Sequence, residues 1–306
     1  MSRRVALVFP GQGSQHIGML SDLALLEGAD RLIDAAEGLS GLPLRHIAEA
    51  AKPEQLADTR AAQPLLYLAG WGAATRALSA GIAPSALAGH SLGELAALAV
   101  AGVYSVEAGL ELVVERARLM AATAAQTPGG MAAVLGLEPD VIRAALDGVD
   151  GIWVANDNSP GQTVISGTPE GLEAATAALS EAGARRIVPL AVAGPFHSPL
   201  MRPAADRFAD LLAAATFSDA AIPVLQNTDP TPATDAQAIR RRLASQIVSP
   251  VRWVETMESL RASGISLLLE CGPGAVLTGL ARRVDGLEAF AIEQTDIRAF
   301  RAEVDA

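Results

Sequence analysis

Short, continuously apolar runs alternate along the chain with longer stretches in which apolar residues recur every three or four positions. Residues 4–9, 86–89, 222–226, 265–270 and 287–292 are runs of the first kind. They predict strands of a parallel sheet, with 4–9 and 265–270 buried. Residues 17–58 predict several short amphipathic helices. A longer helix is expected from Thr59 to Ala80, its regular part starting only near Pro64, because proline is best tolerated in a first turn. Ser105 predicts the N-cap of a helix running to about Ala124, with Leu110, Val113, Val114 and Ala117 on one face. Further helices are expected from Pro199 to about Ala215, near 235–246, over 250–262 led by Pro250, and after 271–274. Strand–helix alternation of this kind predicts an α/β fold.

Residues 127–193 break the rhythm. ThrProGlyGly at 127–130 opens a strand over 131–137 and a helix over 139–146. Strands at 152–155 and 162–166 follow, separated by a turn-rich polar linker, then a helix over 169–182 and a strand over 185–190. The order β-α-β-β-α-β predicts a ferredoxin-like subdomain. It is inserted in a larger core made of residues 1–126 and 194–306.

Composition narrows the function. The chain has 306 residues, half of them hydrophobic, and a net charge of −11. No basic field exists to attract a nucleic-acid backbone, so no nucleic-acid partner is expected. No uncharged stretch is apolar and long enough for a bilayer, and the apolar run after Arg3 and Arg4 is too short for a signal peptide. The single cysteine, Cys271, excludes an internal disulfide and fits a cytoplasmic location.

The chemistry centres on residues 86–101. An apolar run ends at Gly89, Ser91 follows, and the strong helix former LeuGlyGluLeuAlaAlaLeuAla begins at once. Gly89, Ser91 and Gly93 fit G-x-S-x-G, in which a serine stands on a sharp strand-to-helix turn and the glycines leave room for close backbone. A serine N-cap between two glycines would look the same. A nucleophilic serine needs a base, and the chain has His16, His46, His90 and His197. His46 reads as a surface residue. His90, adjacent to Ser91 in the turn, points away from it. His16, after the loop ProGlyGlnGlySerGln at 10–15, is unpinned. His197, in the proline-bounded loop 193–201, follows the serine in the order of α/β hydrolases, though a packed loop histidine would fit too. Arg116 and Arg118 suit the C-terminal half of their helix, where exposed arginines are also common.

Six segments, in order, resemble the signatures of the malonyl-CoA:acyl carrier protein transacylases. They are PheProGlyGlnGlySerGln (9–15), GlyHisSerLeuGlyGlu (89–94), AsnSerProGlyGlnThrValIleSerGly (158–167), GlyProPheHisSerProLeuMet (194–201), SerGlnIleValSerProValArgTrp (245–253) and GluCysGlyProGly (270–274). The resemblance implies a hydrolase-like core with a parallel sheet plus the ferredoxin-like insert. It implies Ser91 as nucleophile and His197 as base, and the N–H groups of Gln12 and Leu92 as oxyanion hole. Arg116, in GluArgAlaArgLeuMet, would bind the malonyl carboxylate. Gln246 would orient His197 through its backbone carbonyl, in place of a triad acid. Phe196 would be a size gate: in related polyketide acyltransferases phenylalanine there goes with malonyl and serine with methylmalonyl.

The implied reaction moves a malonyl group from malonyl-CoA to the phosphopantetheine thiol of acyl carrier protein. No cofactor or metal is expected, no membrane partner, and a monomeric chain. Carrier proteins are acidic, so a local basic patch is needed; Arg185, Arg186, Arg202, Arg207, Arg282 and Arg283 are candidates, each equally readable as a scattered solvated arginine. Competing readings are a trans-acting polyketide acyltransferase, a malonate decarboxylase subunit, a serine hydrolase or thioesterase with a triad carboxylate, and a non-catalytic carrier-docking protein.

Overall fold

The first strand, β1 (Arg4–Phe9), is the centre of the molecule, and the computed structural model, which describes residues 3–305, places both faces of it under helices. Val5, Leu7 and Phe9 point into a core shared with the helix Thr59–Ser79. Ala6 and Val8 point the other way, among Trp253, Met257 and Leu280. Burial on two sides is why this strand reads as an unbroken apolar run; each large side chain fully removed from water contributes about 1.5–3 kcal/mol.

Around β1 lie β2 (Ala86–Gly89), β7 (Val224–Leu225), β9 (Ile265–Glu270) and β10 (Glu288–Ala291), in the order β10-β9-β1-β2-β7 and all parallel. Parallel strands end together, so the loops after β1, β2 and β7 open at one edge, where ligands of open α/β sheets bind.

The second sheet comprises β3 (Gly130–Leu135), β4 (Ile152–Ser159), β5 (Gln162–Gly167), β6 (Arg186–Pro189) and β8 (Val251–Arg252), in the order β6-β3-β5-β4-β8. The pairs within β3–β6 are antiparallel. One face packs on the helices Pro139–Ala145 and Pro169–Glu181 through Val134, Ile142, Ile152, Ile165, Ala175 and Leu179. Strands and helices follow the predicted β-α-β-β-α-β order. The fold is α/β, with a parallel sheet and a second, mostly antiparallel one.

Several local expectations need correction. The long helix runs from Thr59 as expected, but it is regular from there rather than from Pro64; Asp58 caps it by accepting from the Arg60 N–H, and burial of nearly the whole following turn offsets the backbone bond that Pro64 cannot make. The polar stretch 156–159, expected as linker, is strand. Its backbone is paired on both edges, Asn156 with Val164 and Val251, and Asp157 with Thr163 and Arg252. Pro250 leads not into a helix but into β8; the helix begins at Trp253. A terminal helix, Ile297–Asp305, was not foreseen; its Phe300 packs edge-on against Phe290. No described helix is long and apolar enough to cross a membrane.

Candidate active site

β2 runs straight into a turn that puts Ser91 in the left-handed region, φ +51°, before the helix Gly93–Val100 begins. The glycines of the motif are dictated by contact. A Cβ on Gly89 would lie 2.0 Å from the Gly93 carbonyl carbon, and one on Gly93 would lie 2.0 Å from the Phe9 oxygen. Both clashes are with backbone, so no side-chain adjustment relieves them.

The loop Gly194–Ser198 returns from the second sheet and brings His197 to the same place. His197 also has a left-handed backbone, φ +56°, and is 4% exposed. Its Nε2 lies 2.8 Å from Ser91 Oγ. Its Nδ1 lies 3.1 Å from the Gln246 carbonyl and 3.0 Å from the Ser249 carbonyl. Carbonyls only accept, so Nδ1 carries the proton and the Nε2 lone pair faces the serine hydroxyl. Burial, and then the Arg116 charge, push this imidazole down to about 3, which keeps it neutral and able to take a proton. Among the described residues no carboxylate bonds to it.

Arg116 projects from the helix Val106–Gln126, whose N-terminus Ser105 caps by accepting from the Ala108 N–H. Arg116 is 1% exposed, whereas Arg118 on the outer face pairs with Glu115. The Arg116 guanidinium donates through Nη1 to Gln63 Oε1 (2.7 Å), and through Nη2 to Gln246 Oε1 (2.9 Å) and Ser91 Oγ (3.3 Å). Among the described residues its Nε has no partner and no carboxylate bonds to it; burial pulls the group down to about 10, opposed only by the charge of the buried Glu94 at a distance. A buried guanidinium with no directly bonded carboxylate, beside a serine hydroxyl, can receive an anion.

Gln12, Leu92 and Phe196 line a cavity of about 90 Å³ with Ser91, Arg116 and His197; Gln63, Met120, Met131, Leu190 and Val192 complete much of the wall. The Gln12 side chain is turned away to the Ala57 carbonyl, 3.1 Å. Among the described residues the Gln12 and Leu92 N–H groups have no protein acceptor. Gln246 lies behind the pair. Besides holding Arg116 and His197, it donates from Nε2 to the Ser91 carbonyl, 2.9 Å. That carbonyl shares its peptide plane with the Leu92 N–H, so one amide side chain aims both the guanidinium and that N–H.

The other histidines are elsewhere or otherwise employed. His16 is exposed and pairs with Glu293 at 3.0 Å, and His46 is exposed. His90 is engaged by Asn158 Oδ1 (2.8 Å) and packs edge-on to Trp253. The residues that sequence reasoning missed are Gln63, Glu94, Asn227 and the Ser249 carbonyl. Gln63 and Glu94 shared one signal, a polar residue set into an otherwise apolar run, whereas Asn227, within GlnAsnThrAsp, carried none. The candidate basic-patch residues Arg185, Arg186, Arg202, Arg207, Arg282 and Arg283 are all exposed.

Comparison with known proteins gives this arrangement its context. Residues 6–294 match the acyl transferase domain family. The chain is 39% identical over 287 residues to the malonyl CoA-acyl carrier protein transacylase of Bacillus subtilis, covering 92% of this chain and 90% of that one. It is 40% identical to the solved malonyl-CoA:ACP transacylase of Synechocystis sp., with a TM-score of 0.89 over 97% of this chain and 99% of that one. A solved malonyl-transacylase in complex with a type II PKS acyl-carrier protein is also 40% identical, with a TM-score of 0.90 over 97% of this chain and 98% of that one. The chain belongs to the acyl transferase domain family and, within it, to the malonyl-CoA:acyl carrier protein transacylases.

Proposed function

We propose that this enzyme transfers a malonyl group from malonyl-CoA to the phosphopantetheine thiol of an acyl carrier protein, by way of a malonyl ester on Ser91. The single observation that carries this reading is the meeting of three groups: Ser91 Oγ lies 2.8 Å from an imidazole lone pair and 3.3 Å from a buried guanidinium that lacks a carboxylate partner. His197 Nε2 takes the hydroxyl proton as Oγ attacks the thioester carbonyl. The N–H groups of Gln12 and Leu92 hold the developing oxyanion, each worth about 3 kcal/mol. The tetrahedral intermediate collapses, CoA leaves as the thiol with the proton from His197, and the ester remains. The carrier thiol then repeats the sequence in reverse, giving ping-pong kinetics.

Arg116 receives the free malonyl carboxylate, with a flat fork suited to two parallel bonds. Phe196, 6% exposed in the cavity wall, limits substitution at the malonyl α-carbon. The reaction uses only proton transfer and hydrogen-bond donors on this chain, so it calls for no cofactor. All the named groups come from one chain, so a monomer suffices, acting in the cytoplasm on CoA thioesters. Exposed arginines near the loops can meet an acidic carrier despite the chain's net charge of −11. Which carrier is used, of fatty acid or polyketide synthesis, follows from which one the enzyme loads.

The test is intact-protein mass after brief exposure to malonyl-CoA. One malonyl unit should appear, vanish in Ser91→Ala, and move to carrier protein on its addition. Release of free malonate at the rate of deacylation, carrier present, would instead indicate a hydrolase.

A further inference from the structure

The turn that carries Ser91 is held from the side by a residue outside every motif described above. β2 pairs with β7 through Leu87↔Val224 and Ala88↔Leu225, and then the chain turns and backbone pairing stops. Two residues beyond the last pair, the side chain of Asn227 continues the ladder. Its Nδ2 donates to the Gly89 carbonyl (2.5 Å) and its Oδ1 accepts from the Ser91 N–H (2.7 Å). These groups flank residue 90 as the carbonyl and N–H that a neighbouring parallel strand would engage. The opposite edge of the same residue is fixed by the His90 N–H, which donates to the Phe9 carbonyl of β1. Only one orientation of the Asn227 amide satisfies both bonds.

Asn227 is itself fixed. It is wholly buried, its N–H donates to Glu94 Oε2 (2.8 Å), and its carbonyl accepts from the Arg252 N–H (3.2 Å). Glu94 is 1% exposed, and its other oxygen accepts from Gln226 Nε2 (3.0 Å). Among the described residues no cation bonds to this carboxylate, though the Arg116 charge acts on it at a distance, and it lies on the first turn of the helix that Ser91 introduces. A left-handed serine is strained and persists where its surroundings over-determine it.

We propose that Asn227, anchored by Glu94, is a positioning residue that locks the Ser91 turn and so sets both the Oγ–His197 distance and the direction of the Leu92 N–H. The proposal rests on the reading of Ser91 as nucleophile, and it acts through that residue without touching substrate. Arg116 bonds to Gln63, Ser91 and Gln246 and not, among the described residues, to Asn227, so substrate affinity is left to another part of the site.

The experiment compares Asn227→Ala, Asn227→Asp and wild type by kcat and KM for malonyl transfer to carrier protein, by melting temperature, and by the rate at which a small fluorophosphonate modifies Ser91. Asn227→Ala should lower kcat about 10–100-fold, the cost of a misplaced reacting group, with KM within about 3-fold of wild type. Phosphonylation should fall in parallel. Asn227→Asp keeps the acceptor for the Ser91 N–H and, as the neutral acid, a donor for the Gly89 carbonyl, so it should recover part of both rates at low pH, and it serves alone if the alanine variant does not fold. A kcat near wild type, a defect confined to KM, or an aspartate variant no faster than alanine at low pH would overturn the proposal. Phosphonylation needs no malonyl group: if wild type failed to transfer malonyl yet Ser91 reactivity still depended on Asn227, the transfer reading would fail and this one would stand.

Discussion

Ser91 and His197 are the two non-glycine residues, among those described, with a left-handed backbone, and their side chains meet at 2.8 Å. They sit 106 positions apart, on loops leaving different sheets. Strain of about 1–3 kcal/mol per residue at both partners of one hydrogen bond marks where folding energy is diverted to placement.

The first prediction concerns acid. Burial and then Arg116 push His197 from 6.5 down to about 3. The native imidazole therefore stays neutral where the unfolded one takes a proton. Acylation of Ser91 should hold its rate well below pH 6.5, and replacing Arg116 with Met should move the acid limb upward. Native stability loses ground as pH falls from 6.5 toward 3, because only the unfolded chain binds that proton. Stopped-flow acylation and melting curves against pH check both; an acid limb at 6.5 in wild type would contradict the assignment.

Arg116→Ala should lower kcat/KM for malonyl-CoA by about 100-fold or more, since charge-assisted bonds contribute roughly 1.5–3 kcal/mol each. Acetyl-CoA, lacking the carboxylate, should lose far less. Arg116→Lys should not restore activity, because a single ammonium cannot span Gln63 and Gln246 as the fork does. Competition assays with the two thioesters measure the ratio.

Gln246→Ala keeps the backbone carbonyl that holds His197 but removes the amide that aims Arg116 and the Ser91–Leu92 peptide. A fall in kcat of about 10–100-fold is expected for malonyl-CoA. A smaller but measurable fall is expected for acetyl-CoA, which relies on the oxyanion donor alone. Equal KM and kcat for both substrates in variant and wild type would show the side chain to be idle.

Phe196→Ser should raise the methylmalonyl-to-malonyl ratio of kcat/KM by about 10-fold, the worth of roughly one methyl group of added room. The same change removes a buried ring, so a lower melting temperature should accompany it. An unchanged ratio would show that other residues of the cavity wall, such as Met120 and Met131, set the limit instead.

Much of this site was legible before any coordinates. The β1, β2 and β9 strands are buried on both faces, which left unbroken apolar runs, and the Gly89–Ser91–Gly93 spacing reflects backbone contacts that tolerate no Cβ. Arg116 was harder. Helical spacing put both Arg116 and Arg118 in view without separating them, and only the resemblance singled out Arg116. Asn227 and Gln63 were missed because their partners are far away in sequence, and neither belongs to a motif with local meaning. The 156–159 strand was missed for a related reason: its polar residues look like a turn, and what makes them a strand is pairing with Val251 and Arg252, almost a hundred positions away.

That distant pairing has an engineering consequence. β8 belongs by chain position to the core, yet it completes the inserted sheet. It also leaves directly from the Gln246–Ser249 segment whose carbonyls hold His197. A chimera that exchanged residues 127–193 with a paralogue, in pursuit of new acyl selectivity, would seat a foreign edge strand against a resident Val251–Arg252. The exchangeable unit is therefore discontinuous, and residues 246–252 must travel with the insert for the graft to keep its histidine in register.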